Sequence, residues 1–149
     1  MYNIDTIQSF DIPRLMVVWE ASVRATHDFV NEHQIMVLKN LIEQHQLFEN
    51  PNIFCVRNKN FEVDGFAVVT GNSLDMLFLH PSAIGKGIGK ALIQYAINFK
   101  GATRVDVNEQ NEHATGFYKH FGFEVICRST TDDYGQPFPI LHMQLKNNG

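Results

Sequence analysis

Apolar side chains along this chain follow two rhythms, one repeating every three to four residues and one alternating or continuous over short runs. Their order predicts a fold. Tyr2 to Gln8 alternates polar and apolar positions and predicts an edge strand. Asp11 then offers a helix N-cap and Pro13 suits a first turn, and Leu15, Val18, Trp19, Ser22 and Val23 share one helical face before the pattern runs out between Arg24 and Asp28. A second helix is predicted over Glu32 to Gln46, with Ile35, Leu38, Leu41, Ile42 and His45 on its inner stripe and Asn50-Pro51-Asn52 closing it. Strand-like runs follow at Ile53 to Arg57 and Val63 to Thr70, joined by Asn58-Lys59-Asn60 as a hairpin turn, and at Leu74 to His80, which Pro81 ends.

A glycine-rich stretch, Ile84-Gly85-Lys86-Gly87-Ile88-Gly89-Lys90, divides the chain. Beyond it Ile88, Ala91, Leu92, Tyr95, Ala96 and Phe99 form a helical stripe that Gly101 stops, and Arg104 to Glu109 reads as a strand. Strand, glycine turn, helix and strand make a βαβ crossover, so the two strands should run parallel. Asn111 can cap another helix, with Ala114, Phe117, Tyr118 and Phe121 inside and Gly122 at its end. Phe123 to Ser129 and Pro139 to Leu145 are the last strands, on either side of a polar loop from Thr130 to Gln136. No repeat or linker interrupts residues 1–149, so a single α/β domain is expected.

Composition narrows the partners. A hydrophobic share of 44% with 19% charged residues is that of an ordinary globular chain. The net charge of −4, with no cluster of lysine or arginine, disfavours nucleic acid, and no apolar run is long enough to span a bilayer. The N-terminus lacks the basic and apolar regions of a signal peptide, so the expected location is cytoplasmic. Cys55 and Cys127 sit in apolar, strand-like runs and are expected to be buried free thiols. His113 and His120 have no third ligand in view, so no metal is expected.

Three glycines at alternate positions suit an anion cradle at a helix N-terminus, where unpaired N–H groups converge. A P-loop is excluded because Gly89-Lys90 is followed by Ala91 and not by a hydroxyl residue. A dinucleotide fingerprint is excluded as well, since Gly85-x-Gly87 leads to Lys90 and the chain is too short for two mononucleotide halves. The short cradle resembles the acetyl-CoA signature of the GNAT N-acetyltransferase superfamily, Gln/Arg-x-x-Gly-x-Gly/Ala, with Ile84 where the family usually has Gln or Arg. Asn111-Glu112-His113-Ala114-Thr115-Gly116-Phe117-Tyr118-Lys119-His120-Phe121-Gly122-Phe123 resembles the second signature, Asn-x-x-Ala-x-x-Phe-Tyr-x-x-x-Gly-Phe. Ser22 to Phe29, Val107 to Asn111 and Asp132 to Leu141 further resemble a subgroup of small bacterial, YjaB-like acetyltransferases.

The resemblance implies a GNAT fold, a mixed, mostly antiparallel sheet of about seven strands with helices on both faces, and direct transfer from acetyl-CoA to a primary amine of a small molecule or peptide. It implies that the backbone of Leu77, Phe78 and Leu79 runs beside the pantetheine and that the N–H groups of Gly85, Lys86, Gly87, Ile88, Gly89 and Lys90 hold the pyrophosphate. Asn111, Ala114, Phe117 and Tyr118 are to line the same wall. Tyr118 is also the expected acid, since a phenol with a pKa near 10 is protonated at neutral pH and can protonate a leaving thiolate. Asp75, Glu109 and His27 are alternatives for the base that takes the amine's proton. Trp19, Arg24, His27 and Phe29, facing Asp132, Asp133 and Tyr134, are expected to recognise the acceptor, and their mixture of aromatic and charged groups favours a small polar amine over a bulky apolar one. A non-catalytic acyl-CoA-binding or regulatory module is the alternative function, and exposed edge strands leave room for a homodimer.

Overall fold

A computed structural model describes residues 2–26 and 30–146. Seven strands form one sheet in the order β1-β2-β3-β4-β5-β7-β6. They are β1 (Asp5–Thr6), β2 (Phe54–Arg57), β3 (Val63–Thr70), β4 (Ser73–Leu79), β5 (Arg104–Asn108), β6 (Phe123–Ser129) and β7 (Ile140–Leu145). Among the described residues four α-helices accompany them: α1 (Ile12–Thr26), α2 (Glu32–Gln44), α3 (Ile88–Lys100) and α4 (Glu112–His120). Only β4 and β5 run parallel, as the crossover through α3 requires, so the sheet is mixed and mostly antiparallel as expected.

Alternation along β3 splits the core into two layers. Phe66 and Val68 meet Leu15, Val18 and Trp19 of α1 and Ile35 of α2 on one face. Ala67, with Val56 of β2, meets Leu92, Ile93 and Ala96 of α3 on the other. Gly65 belongs to that second layer because α3 lies against it: a Cβ there would stand 2.7 Å from Leu79 Cδ2 and 2.9 Å from Ile88 Cγ2.

The feature that shapes the site is the parting of β4 from β5. They pair only at Ser73↔Arg104 and Leu74↔Val105. At that point β4 carries a bulge, since Val68 faces Met76 and Val69 faces Leu74, leaving Asp75 as the extra residue. Beyond it the strands diverge, β4 staying with β3 and β5 with β7, and a wedge opens between two halves of the sheet.

Several elements differ from the expected pattern. The first strand shrinks from Tyr2–Gln8 to two residues, because the chain turns at once into a short 3₁₀ segment, Ser9–Asp11. Asp11 does not cap α1 with its side chain. Its carboxylate accepts the Gln8 N–H at 2.8 Å and both terminal nitrogens of Arg57, at 2.8 and 2.9 Å. The second helix ends at Gln44, and His45 is exposed, its ring stacked on Tyr134 at a centroid distance of 5.8 Å. Phe99 is likewise outside, stacked on Tyr95, while Ile93 takes the buried place on α3. Cys55 is buried as expected, but Cys127 is exposed on β6.

Candidate active site

The wedge opens onto three adjoining cavities. The first is lined by Leu77, Phe78 and Leu79 of β4, Ile84 and Gly89 of the glycine turn, and Asn111, Ala114, Phe117 and Tyr118 from α4 and its cap. Ser22 and Thr26 of α1 and His113 of α4 complete it, and none of these three was given a cofactor or catalytic role from the sequence. A second cavity lies within the wedge, between Asp75 to Phe78 of β4 and Val105 to Asn108 of β5, and it too is lined by Asn111, Ala114 and Tyr118. A third, between α1, α2 and the loop before β7, is lined by Trp19, Met76, Phe78, Asn108, Asp132 and Tyr134 among others. Phe78 lines all three, and Met76 and Asn108 line the second and third, so the spaces adjoin one another.

The glycine turn closes one end. Gly87 is the N-cap of α3 at φ +85°, a left-handed conformation that favours glycine, and Gly85 stands at φ +83° with open space where a Cβ would be. The first backbone bond of the helix is Ala91 N–H to Gly87 O at 3.0 Å, and the amides from Gly85 to Lys90 give none outside the helix itself. That row of free donors, on the positive end of a helix dipole, suits a diphosphate. Tyr2 braces the turn by donating its hydroxyl hydrogen to Lys86 O at 2.6 Å. Lys86 and Lys90 are exposed beside it, as is Ile84.

Tyr118 is 7% exposed, with its ring edge-on to Phe117 and Phe123. Burial pushes its phenol well above the ordinary tyrosine value. The side chain lines both the first cavity and the wedge. Asn111 caps α4, its Oδ1 accepting the Ala114 N–H at 3.1 Å.

The alternatives for the base are separated by position. Asp75 is exposed on the bulge and lines the wedge. Glu109 is held by Arg128 through two hydrogen bonds, 2.6 and 3.0 Å, and the guanidinium keeps its carboxyl below the usual range. It lines none of the three cavities. His27 and Phe29 lie outside the described residues. Of the residues expected to meet the acceptor, Trp19 lines the third cavity, whereas Arg24 turns away to Glu20 at 3.1 Å and to Glu32 at 2.9 Å. Asp132 and Tyr134 line that cavity as well, and Asp133 does not.

Residues 49–125, which hold the turn, the wedge and Tyr118, match the family model described as an acetyltransferase (GNAT) domain. The chain belongs to the GNAT acetyltransferases. Among curated relatives of this GNAT chain, the peptidyl-lysine N-acetyltransferase YjaB of Salmonella typhimurium is 38% identical over 143 residues, 96% of this chain and 97% of that protein. The Escherichia coli YjaB is 39% identical over 129 residues, 87% and 86% of the two chains. The solution structure of apo YjaB from Escherichia coli superposes with a TM-score of 0.86 at 35% identity, covering 97% of each chain. The PaiA N-acetyltransferase of Thermoplasma acidophilum, solved with coenzyme A, shares the fold at a TM-score of 0.68 and 24% identity. The GNAT chain is thus an acetyl-CoA-dependent acetyltransferase, and its helix-capping glycine turn and row of free amides fit the pyrophosphate of that cosubstrate. No group of three potential metal ligands occurs among the described residues, and none of their helices is long and apolar enough to cross a membrane.

Proposed function

We propose that this acetyltransferase modifies the ε-amino group of lysine in peptides or proteins. The observation that carries the reading is that the wedge has a cavity on each side and shares Phe78, Met76 and Asn108 with its neighbours as common walls. An amine arriving from the acceptor side reaches the space that Tyr118 lines without passing through the cofactor side. Relatives that match along nearly the whole chain carry the name peptidyl-lysine N-acetyltransferase, which supports a peptide acceptor.

Acetyl-CoA supplies an activated thioester carbonyl for attack by the amine. The chain positions it along the free edge of β4, where Leu77 to Leu79 have no β5 partner, and at the amides of Gly85 to Lys90. Asp75, on the bulge and lining the wedge, takes the ammonium proton through water; Asp106 lines the wedge too but is engaged by His142 Nδ1 at 2.7 Å. Tyr118 holds its proton on the phenolic oxygen, the hydrocarbon around it keeping the phenol neutral, and delivers it to the departing sulfur as the C–S bond breaks; the second proton of the attacking nitrogen, shed as the amide forms, restores the phenol. Transfer is direct. Cys55 is buried, with its thiol pushed up to about 11, and Cys127 lines none of the three cavities, so neither is placed to carry the acetyl group. Two free thiols in an enzyme that consumes acetyl-CoA favour a cytoplasmic setting.

The test is incubation with acetyl-CoA and a peptide whose N-terminus is blocked and whose single lysine is free, read by mass spectrometry. The expected product is the N-ε-acetyl peptide. Modification confined to unblocked N-termini would overturn the lysine assignment.

A further inference from the structure

The acceptor-side cavity is walled by hydrocarbon. Trp19 and Val23 of α1, Leu38 and Leu41 of α2, Phe48, and Phe138 ahead of β7 supply most of its surface. Among the described residues no lysine or arginine lines it, and the one carboxylate among them, Asp132, has Oδ1 occupied by the N–H groups of Tyr134 at 3.0 Å and Gln136 at 2.8 Å. The cavity volume is about 230 Å³. An apolar void of about 150 Å³ already admits benzene, and water in such a space lacks the polar partners it needs. The His45–Tyr134 stack ties the loop to the end of α2, both of which wall the cavity. A small polar amine, favoured by the residue types in the sequence, finds little here to bind.

We infer that this cavity seats a bulky uncharged group carried by the acceptor next to its reacting amine. The inference rests on the lysine reading and sharpens it: the preferred acceptor is a lysine flanked by leucine or phenylalanine. The same chemistry is offered by a small primary amine with an aromatic body. The cavity shares Met76, Phe78 and Asn108 with the wedge, so a group seated in it stays tethered to an amine within the wedge. A charged flank would shed its hydration against Trp19, Leu38 and Phe138, and among the described residues the cavity offers it only the one partly engaged carboxylate.

The experiment compares kcat/KM on doubly blocked peptides that differ only in the residue beside lysine, alanine, leucine, phenylalanine or glutamate, together with phenethylamine and ethylamine. Leucine and phenylalanine peptides should exceed the alanine peptide by on the order of tenfold, with the glutamate peptide the poorest. If phenethylamine also outpaces ethylamine, the class extends to small amines; if only the peptides respond, it is confined to peptides. Leu41→Asp, at a half-buried position on α2, should abolish the apolar preference while coenzyme A affinity, read by calorimetry, is unchanged. Peptides acetylated at rates within twofold of one another whatever the flank would overturn the inference and leave the lysine reading standing. Coenzyme A binding with no amine acetylated would remove both.

Discussion

Tyr118 keeps its proton because of what surrounds it. Aromatic rings of Phe117 and Phe123 pack its sides, at centroid distances of 5.4 and 6.0 Å, and desolvation disfavours the phenolate. The neutral form is therefore held in place up to pH values above the ordinary tyrosine range, and the donor is lost only as pH rises through the elevated value. Asp75 and Glu109 make a natural comparison, one carboxylate lining the wedge and one clamped by Arg128 away from it. Asp75→Asn should lower kcat/KM with a lysine peptide by about tenfold or more, whereas Glu109→Gln should change it less than about threefold. Steady-state rates at fixed pH check both, and equal losses would mean that position in the wedge does not decide the base. The place of Tyr118 beside Phe117 on the cavity wall could be anticipated, because the motif it resembles sets both on one short helix. Arg24 was not placed that way: Glu20, four residues earlier on α1, is a partner that helical spacing offers, but Glu32 reaches it only from α2.

At the scale of elements, the glycines have separate duties. Gly87 provides the left-handed cap that starts α3, and this was visible in the alternating pattern. Gly65 was not visible, because its requirement comes from a helix more than twenty residues later in the chain. Ile88 and Leu92 of α3 press on β3 there, and a methyl group would meet Leu79 and Ile88 inside 3.0 Å. Gly65→Ala should destabilise the fold by about 1–3 kcal/mol through overpacking, measured by denaturant unfolding. A midpoint equal to the parent's would show that α3 can move away without cost. The same logic explains the shortened first strand. Arg57 binds Asp5 at 2.7 Å and Asp11 at 2.8 and 2.9 Å, gathering the N-terminal segment into a turn that local alternation could not foretell.

For the molecule as a whole, function follows from one departure in an otherwise continuous sheet. The bulge at Asp75 and the two-pair contact of β4 with β5 give the molecule an unpaired strand edge, and α3 and α4 bring the glycine turn and Tyr118 to it. The order of elements was legible in the chain, and so was the set of residues from β4, the glycine turn and α4 that line one cavity, because both rest on short contiguous motifs. The acceptor cavity was not, because α1, α2, Phe48, β4 and the loop before β7 each contribute a part, and its apolar character emerges only when they meet. The central claim is that acetyl transfer takes place in the wedge with Tyr118 as proton donor. Its most direct test is the turnover of a lysine peptide by Tyr118→Phe, set beside the affinity for coenzyme A measured by calorimetry. The expected result is a fall in kcat of about a hundredfold or more, with the affinity within a few-fold of the parent protein. Unchanged kcat would contradict the claim.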